Sequence, residues 1–154
     1  MSKALLAGSF DPPTLGHLSL ITRAAQLFSK LYICIAVNET KKPLFPISQR
    51  LAWLKVLTND FGNIEVLSFN GLTVDAAKSA KVDVLVRGAR NGCDFEYEAA
   101  MAQANYKLAA IETLILPASP ETTHISSSII KEILSSKGSL EGFLPQEVRK
   151  DLIT

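Results

Sequence analysis

The chain has 154 residues, 47% hydrophobic and 20% charged, with 16 Lys and Arg against 15 Asp and Glu. This length suits one domain with its own core, and the apolar share excludes intrinsic disorder. The net charge of +1 excludes the broad basic field that a nucleic-acid-binding protein needs.

Five short runs rich in Val, Ile and Leu predict strands at 4–7, 31–37, 64–69, 82–86 and 113–116. These runs are continuous rather than alternating, which is typical of strands buried on both faces of a parallel sheet. Helical spacing and capping residues occupy the intervals between them. We predict helices after Pro13, from Ile47 or Ser48, over 72–80, from an N-cap at Asp94 to about 108, from Ser126 or Ser127 to 134, and over 146–153 after Pro145. Trp53 and Phe95 are expected in the core or in a subunit contact.

Alternating strands and helices predict right-handed βαβ units. The expected fold is a single α/β domain over 1–154, Rossmann-like, with an open parallel five-stranded sheet and helices on both faces. The longest apolar run, 31–37, is too short to cross a bilayer, and the apolar part of 1–7 is too short for a secretion signal. The two cysteines, Cys34 and Cys93, lack the spacing of a metal or redox pair. We therefore expect a cytoplasmic protein that binds neither membranes nor nucleic acid.

In an open parallel sheet, ligands bind at the carboxyl ends of the strands. Glycines, hydroxyl side chains and cations follow the predicted strands in the segments 8–17, 38–43, 70–73, 87–92 and 117–128. Amides at helix starts, together with Lys and Arg, are the chemistry of phosphate binding. The glycine-rich loops of nicotinamide-binding proteins and P-loop kinases are absent. With two distant histidines and no close carboxylates in these loops, no metal site built from side chains is predicted.

Two segments resemble the signatures of the nucleotidylyltransferase superfamily. GSFDPPTLGH at 8–17 resembles its (H/T)-x-G-H signature, and ISSS at 125–128 resembles the serine turn that opens a late helix. RGARNGCDFEYE at 87–98 and KKP at 41–43 closely resemble the phosphopantetheine adenylyltransferase family, and this resemblance covers essentially the whole chain. It implies transfer of the adenylyl group of ATP to 4′-phosphopantetheine with Mg²⁺, giving dephospho-coenzyme A and pyrophosphate. It also implies a homohexamer and feedback binding of coenzyme A.

The resemblance also implies roles for individual residues, with His17 as the stabiliser of the transition state. The implied ATP-binding residues are Ser9, Phe10, His17, Gly88, Ala89, Arg90, Glu98, Thr122, Thr123, His124, Ile125, Ser126, Ser127 and Ser128. The implied phosphopantetheine-binding residues are Ser9, Lys41, Thr73, Arg87, Met101 and Asn105. Arg87 and Lys41 would hold the acceptor phosphate, and Arg90 would hold the phosphates of ATP.

The chain departs from the family pattern at a few of these positions. Ser9 stands where the family usually has Thr, and Thr73 replaces an apolar residue. Asn105 is followed by Tyr106 instead of Arg. Thr122, Thr123 and His124 replace the segment in which an aromatic residue and a Ser usually precede the serine turn.

The implied reaction agrees with the absence of a Ser-His-Asp set or a carboxylate dyad. A phosphate monoester has its second pKa near ~6, so the acceptor is largely dianionic at neutral pH and needs no general base. In-line positioning and charge stabilisation remain for the protein to supply. At the start of the first helix, the helix dipole favours a neutral His17 whose Nε2–H can donate to an α-phosphate oxygen.

Other interpretations of the same residues remain open. His17 and the serines could only cap helices, Arg87 and Arg90 could be solvated, and Met101 could be core. The chain could be another nucleotidylyltransferase, acting on nicotinamide mononucleotide or using CTP, although the segment 87–98 argues against both. It could also be a non-catalytic nucleotide sensor, which need not keep His17. A flavodoxin-like domain would need a hydroxyl-rich loop where this chain has FDPP at 10–13.

Overall fold

The structure is a computed structural model that describes residues 2–37, 40 and 42–152. Lys41 therefore lies outside the described residues. The strands are β1 Lys3–Gly8, β2 Lys30–Val37, β3 Ile64–Asn70, β4 Val84–Ala89 and β5 Glu112–Pro117. The helices are α1 Leu15–Leu27, α2 Ile47–Leu57, α3 Thr73–Ala80, α4 Gly92–Ala109, α5 Ser127–Ser135 and α6 Gln146–Leu152, with a short 3₁₀ turn at Pro120–Thr122.

The five strands form one parallel sheet in the order β3-β2-β1-β4-β5. Leu6 lies at the centre, opposite Ile33 of β2 and Val86 of β4. The chain runs outward from β1 to β3 and then crosses to β4 on the other side of β1. This reversal leaves a crevice at the carboxyl ends of β1 and β4, which is where such sheets bind ligands. The predicted Rossmann-like α/β fold is confirmed.

Hydrophobic clusters cover both faces of the sheet, as predicted. On one face Leu6, Ile33 and Leu54 pack with Ile21 of α1, and all four are at most 3% exposed. The opposite face packs under α3, and its cluster comprises Leu5, Ala7, Cys34, Val74, Ala76, Ala77, Val82, Leu85 and Ile111. The carboxyl ends of the strands, where such sheets bind ligands, therefore lie between two packed layers.

A third cluster joins α2, α5 and α6 and supports one wall of the crevice. It includes Ile130, Leu144 and Val148, which are almost completely buried. Trp53 packs here, and its Nε1–H donates to Asp151 over 2.6 Å. Trp53 is thus a core residue, whereas Phe95 is 53% exposed on α4.

The predicted complete burial holds for four of the six residues of β1 and for half of the residues of β2 and β4, but it is wrong for β3 and β5. Both alternate between half-buried and exposed positions. They are the two edge strands of the sheet, so each has a neighbouring strand on one side only.

Two predicted boundaries are corrected. Asp94 is not the N-cap of α4: Asn91 is, and its side chain accepts from the Asp94 N–H over 2.9 Å. β4 spans Val84–Ala89 rather than 82–86, because pairing with β5 continues through Arg87. Arg87 is therefore a strand residue and not part of the following loop. The α5 N-cap is Ser126. None of the described helices combines the length and apolar character needed to cross a membrane.

Candidate active site

A cleft of about 390 Å³ opens at the carboxyl ends of β1 and β4, between the start of α1 and the start of α5. Most of the predicted ATP residues line it: Ser9, Phe10, His17, Gly88, Ala89, Arg90, Thr122, Ile125, Ser126, Ser127 and Ser128. Ser9 and Arg87 line it among the predicted acceptor residues. The two signatures, far apart in the chain, therefore face each other across one crevice.

His17 is fixed by the residue that caps its own helix. Thr14 is the N-cap of α1, and its Oγ1 accepts from the His17 N–H over 3.2 Å. In return the Thr14 N–H donates to Nδ1 of the imidazole over 3.0 Å, which completes a capping box. Because Nδ1 is an acceptor, the single proton of the neutral ring lies on Nε2.

Burial and positive charge keep this imidazole neutral. Desolvation, followed by the nearby charges of Arg87 and Arg90, lowers the pKa of His17 from 6.5 to about 4. The ring also packs against the buried ring of Phe10, with centroids 4.9 Å apart. Phe10 adopts a left-handed backbone conformation with φ 46, a strained conformation of the kind found at functional sites. The predicted neutral form is thus supported mainly by burial rather than by the helix dipole.

Arg87 is held by a two-pronged ion pair with Glu98 of α4. Its Nε donates to Oε2 and its Nη2 to Oε1, each over 2.8 Å, and its Nη1 donates to the carbonyl of Ala7. Glu98 is only 7% exposed. The Glu98 carboxylate therefore orients Arg87 at the edge of the cleft and is not itself among the lining residues.

Arg90 has a similar carboxylate partner on the first turn of α4. Its Nε donates to Oδ2 of Asp94 over 2.8 Å, and its backbone N–H donates to the same oxygen over 3.0 Å. These hydrogen bonds lower the pKa of Asp94 below its ordinary value. Nη1 of Arg90 reaches the carbonyl of Ile125 over 3.3 Å, so Arg90 bridges α4 and the serine turn.

The serine turn presents the start of α5 to the cleft. Ser126 Oγ accepts from the Ile129 N–H over 3.2 Å and caps the helix. Ser127 and Ser128 are the first residues of α5, where backbone N–H groups have no acceptor within the helix. Capping and anion binding are therefore compatible at this turn.

The cleft lining also includes polar side chains that were not among the predicted site residues, such as Ser19, Arg23 and Ser119. Ser19 Oγ and Ser119 Oγ are 2.9 Å apart, and Nη1 of Arg23 donates to the Pro117 carbonyl over 2.6 Å. Both contacts tie α1 to the segment that leads into the serine turn. Arg23 follows Gly16 by seven helical positions, which places it on the same helix face, and this spacing could have identified it.

The remaining predicted residues that the structure describes are not among those that line the cleft. Met101 is 40% exposed and Asn105 half-buried on α4, and Thr73 is the first residue of α3. Thr123 Oγ1 donates to the Pro120 carbonyl over 3.1 Å. His124 packs edge-on against Phe143 with ring centroids 5.6 Å apart, which is a packing role.

Gly88 lets α1 approach the sheet closely at the floor of the cleft. A Cβ placed on Gly88 would lie 2.8 Å from Cδ2 of Leu20. Within residues 2–37, 40 and 42–152, no group of three His, Cys, Asp or Glu side chains is arranged to hold a metal ion. The arrangement is suited to binding phosphates and to stabilising negative charge near His17.

Sequence comparison identifies close relatives over nearly the whole chain. The family model described as "Cytidylyltransferase-like" matches residues 5–133. A "Phosphopantetheine adenylyltransferase" of Streptomyces coelicolor is 40% identical over 152 residues, covering 99% of this chain and 96% of that protein. The protein of the same name from Clostridium perfringens is 42% identical over 153 residues, covering 99% of this chain and 93% of that protein.

Structural comparison adds evidence about the fold alone. The crystal structure of a putative nicotinate-nucleotide adenylyltransferase from Vibrio parahaemolyticus superposes with a TM-score of 0.69 at 17% identity, covering 100% of both chains. A lipopolysaccharide core biosynthesis protein from Thermoplasma volcanium superposes with a TM-score of 0.54 at 22% identity, covering 77% of this chain and 97% of that one.

Proposed function

Since this chain belongs to the cytidylyltransferase-like family and, within it, to the phosphopantetheine adenylyltransferases, we propose that it transfers the adenylyl group of ATP to 4′-phosphopantetheine. The products are dephospho-coenzyme A and pyrophosphate, and the reaction is the penultimate step of coenzyme A biosynthesis. One observation carries the assignment: a neutral imidazole with its proton on Nε2 stands in a cleft that also holds two arginines and a helix N-terminus.

The acceptor supplies its own nucleophile. Above its second pKa of about 6, the phosphate of phosphopantetheine is a dianion, so no side chain has to remove a proton. One of its oxygens forms a bond to the α-phosphorus of ATP as the bond from that phosphorus to the bridging oxygen breaks. The electron pair leaves with pyrophosphate, and the protein contributes alignment and charge stabilisation.

His17 stabilises the transition state in this proposal. Its Nε2–H donates to a non-bridging α-phosphate oxygen as negative charge develops there, and the capping box keeps the ring oriented before ATP arrives. Arg90 and the start of α5 hold the phosphates of ATP, while the backbone at Gly88 and Ala89 accommodates the nucleotide. Mg²⁺ would accompany ATP with phosphate oxygens and water as its ligands, and it would supply positive charge that offsets the charge of the phosphates.

Arg87 binds the acceptor phosphate at the edge of the cleft in this proposal, and Lys41 is the second cation that the family resemblance assigns to that phosphate. Glu98 and the Ala7 carbonyl hold Arg87 in the orientation that leaves its two remaining N–H groups for an anion. The pantetheine arm extends toward Thr73, Met101 and Asn105. Coenzyme A, which contains the same arm, competes with phosphopantetheine for this position.

We further propose that the protein is cytoplasmic and assembles as a homohexamer. Large apolar side chains lie exposed on one helix, α4: Phe95, Tyr97, Met101, Tyr106 and Leu108 are 40–62% exposed. An apolar surface of this kind is typical of a subunit contact. Sedimentation at micromolar concentration tests the assembly, and a stable monomer would exclude it.

Incubation of the purified protein with magnesium, ATP and phosphopantetheine tests the reaction directly. We expect pyrophosphate release and a product with the mass of dephospho-coenzyme A. Nicotinamide mononucleotide as acceptor and CTP as donor should give little product. Pantetheine without its phosphate should be a very poor acceptor because it lacks both the nucleophile and the charged anchor. ATP binding without pyrophosphate release would instead indicate a nucleotide sensor.

A further inference from the structure

A polar network that is most deeply buried at Arg50 joins the loop after β1 to the loop after β2. Asp11 follows Ser9 in the loop after β1, and both of its carboxylate oxygens accept backbone N–H groups of the second loop. The Leu44 N–H donates to Oδ2 over 2.7 Å and the Phe45 N–H donates to Oδ1 over 2.8 Å. One side chain thus anchors the segment that immediately follows Lys41, Lys42 and Pro43.

Arg50 of α2 is the third member of this network and contacts the loop after β1. It is only 5% exposed, and its Nη1 donates to the Ser9 carbonyl over 2.7 Å. Its Nε lies 4.0 Å from Oδ1 of Asp11, and no described residue accepts a hydrogen bond from it. A guanidinium group at this depth is costly to bury unless it has polar partners. Its contacts are concentrated on the two residues that flank Phe10.

The network links a residue of the cleft lining to the second loop. Ser9 lines the cleft and adjoins Phe10, whose ring packs on His17. The second loop carries Lys41, which the proposed function places on the acceptor phosphate. In-line transfer needs the two phosphates at a set separation, and small displacements reduce such rates strongly. A rigid link between these two loops would set that separation.

We propose that Asp11 and Arg50 are positioning residues that hold the acceptor-binding loop in register with Ser9. This inference rests on the proposed function, because it takes the loop after β2 as the acceptor side. Neither residue needs to touch a substrate. Asp11 acts through the backbone of Leu44 and Phe45, and Arg50 acts through the backbone of Ser9.

The kinetics of three variants test the roles of Asp11 and Arg50. For Asp11→Asn we expect the KM for phosphopantetheine to rise at least tenfold, while the KM for ATP changes less than threefold. For Arg50→Met we expect kcat to fall at least tenfold as well, since Ser9 is released. Arg50→Lys keeps the positive charge and one donor group. Its kcat should be at least threefold higher than that of Arg50→Met. Equal changes in both KM values, or no change, would overturn the proposal.

Matched controls separate positioning from stability. Thr58→Val removes a buried hydrogen bond to the Leu54 carbonyl at the far end of the same helix, so it should lower Tm with kcat and KM unchanged. Asp60→Asn removes an exposed carboxylate and should change neither. The proposal fails if Thr58→Val lowers Tm as much as Asp11→Asn does and also raises the KM for phosphopantetheine without raising the KM for ATP. The effect would then be one of general destabilisation.

Hydrogen exchange provides a readout that does not depend on catalysis. In the wild-type protein the Leu44 and Phe45 amides should be protected, and Asp11→Asn should accelerate their exchange at least tenfold. Unchanged exchange would overturn the link whatever the activity. If the wild-type protein fails to adenylylate phosphopantetheine, the proposed function fails, and the exchange result still decides whether Asp11 holds this loop.

Discussion

The Thr14 N–H donates to Nδ1 of His17 over 3.0 Å, while Oγ1 of the same threonine accepts from the His17 N–H. One residue therefore starts helix α1, sets the orientation of the imidazole and selects its Nε2–H tautomer. The T-x-G-H pattern has a direct physical explanation, because the cap and the capped residue must be three positions apart.

Replacement of His17 by Ala should reduce kcat and kcat/KM alike. The loss of one donor that acts mainly in the transition state typically costs about 10²–10³-fold, or roughly 3–4 kcal/mol. The affinity for ATP should change little, because Arg90 and the start of α5 remain. Turnover, ATP affinity and Tm should be measured on one preparation. A fall in turnover of less than about tenfold would contradict the role given to His17.

Thr14→Val provides the complementary change. Its backbone N–H still donates to Nδ1, but the side chain no longer caps α1. Loss of such a cap typically costs about 1 kcal/mol of stability. We therefore expect a lower Tm with turnover within a few-fold of the wild-type value. A loss of turnover as large as that of His17→Ala would show that the hydroxyl, and not the backbone contact, orients the ring.

The pKa of His17 predicts how stability depends on pH. Its value is about 4 in the folded protein against 6.5 as the ordinary value, so the folded state binds fewer protons than the unfolded chain in this interval. The contribution of His17 to stability is therefore present above about pH 6.5 and is lost as pH falls toward about 4. Urea unfolding of wild-type protein and His17→Gln from pH 7 to 4 measures it. The prediction is wrong if the free energy of unfolding falls equally with pH in the two proteins.

The rate should depend on pH for a different reason. Since His17 stays neutral above about pH 5, kcat/KM for phosphopantetheine should rise through pH ~6 as the acceptor becomes a dianion. The same rise with pH, the acidic limb of the profile, should persist in His17→Gln at lower values of kcat/KM. Its disappearance in the variant would assign the limb to the histidine.

The Arg87–Glu98 pair predicts separate effects on stability and activity. Arg87→Met leaves a nearly buried carboxylate without its partner. Loss of one member of a buried pair typically costs about 3–5 kcal/mol, and the loss here should be smaller because the Arg87 side chain is 31% exposed. Adding Glu98→Gln should restore much of the lost stability without restoring the KM for phosphopantetheine. Denaturant unfolding and steady-state kinetics on both variants measure the two effects. Recovery of activity in the double variant would show that Arg87 does not bind the acceptor.

If Arg90 binds the phosphates of ATP as proposed, Asp94 competes with them for its guanidinium group. Asp94→Asn should therefore lower the KM for ATP several-fold, since the guanidinium is released and a negative charge is removed from the cleft. Asp75→Asn, in the first turn of α3, serves as the charge-matched control and should leave the KM unchanged. Weaker ATP binding in Asp94→Asn would mean that the pairing positions Arg90 instead.

The sequence alone was sufficient to predict the α/β alternation, the strand-end site and the residues of its two signatures. The reason is that these features are local: apolar runs form the strands, and His17 and the serine turn each stand at a helix start. Gly88, Arg90 and the three serines at 126–128 all line the cleft as expected.

Only the tertiary structure decided which partners these residues have. Glu98 pairs with Arg87, and Arg50 reaches the Ser9 carbonyl, across separations that no local pattern records. The edge positions of β3 and β5, and the continuation of β4 through Arg87, depend on strand order. The pKa of His17 is likewise a tertiary property. It depends on desolvation and on two arginines that the fold brings close, whereas the sequence shows only where the histidine lies in its helix.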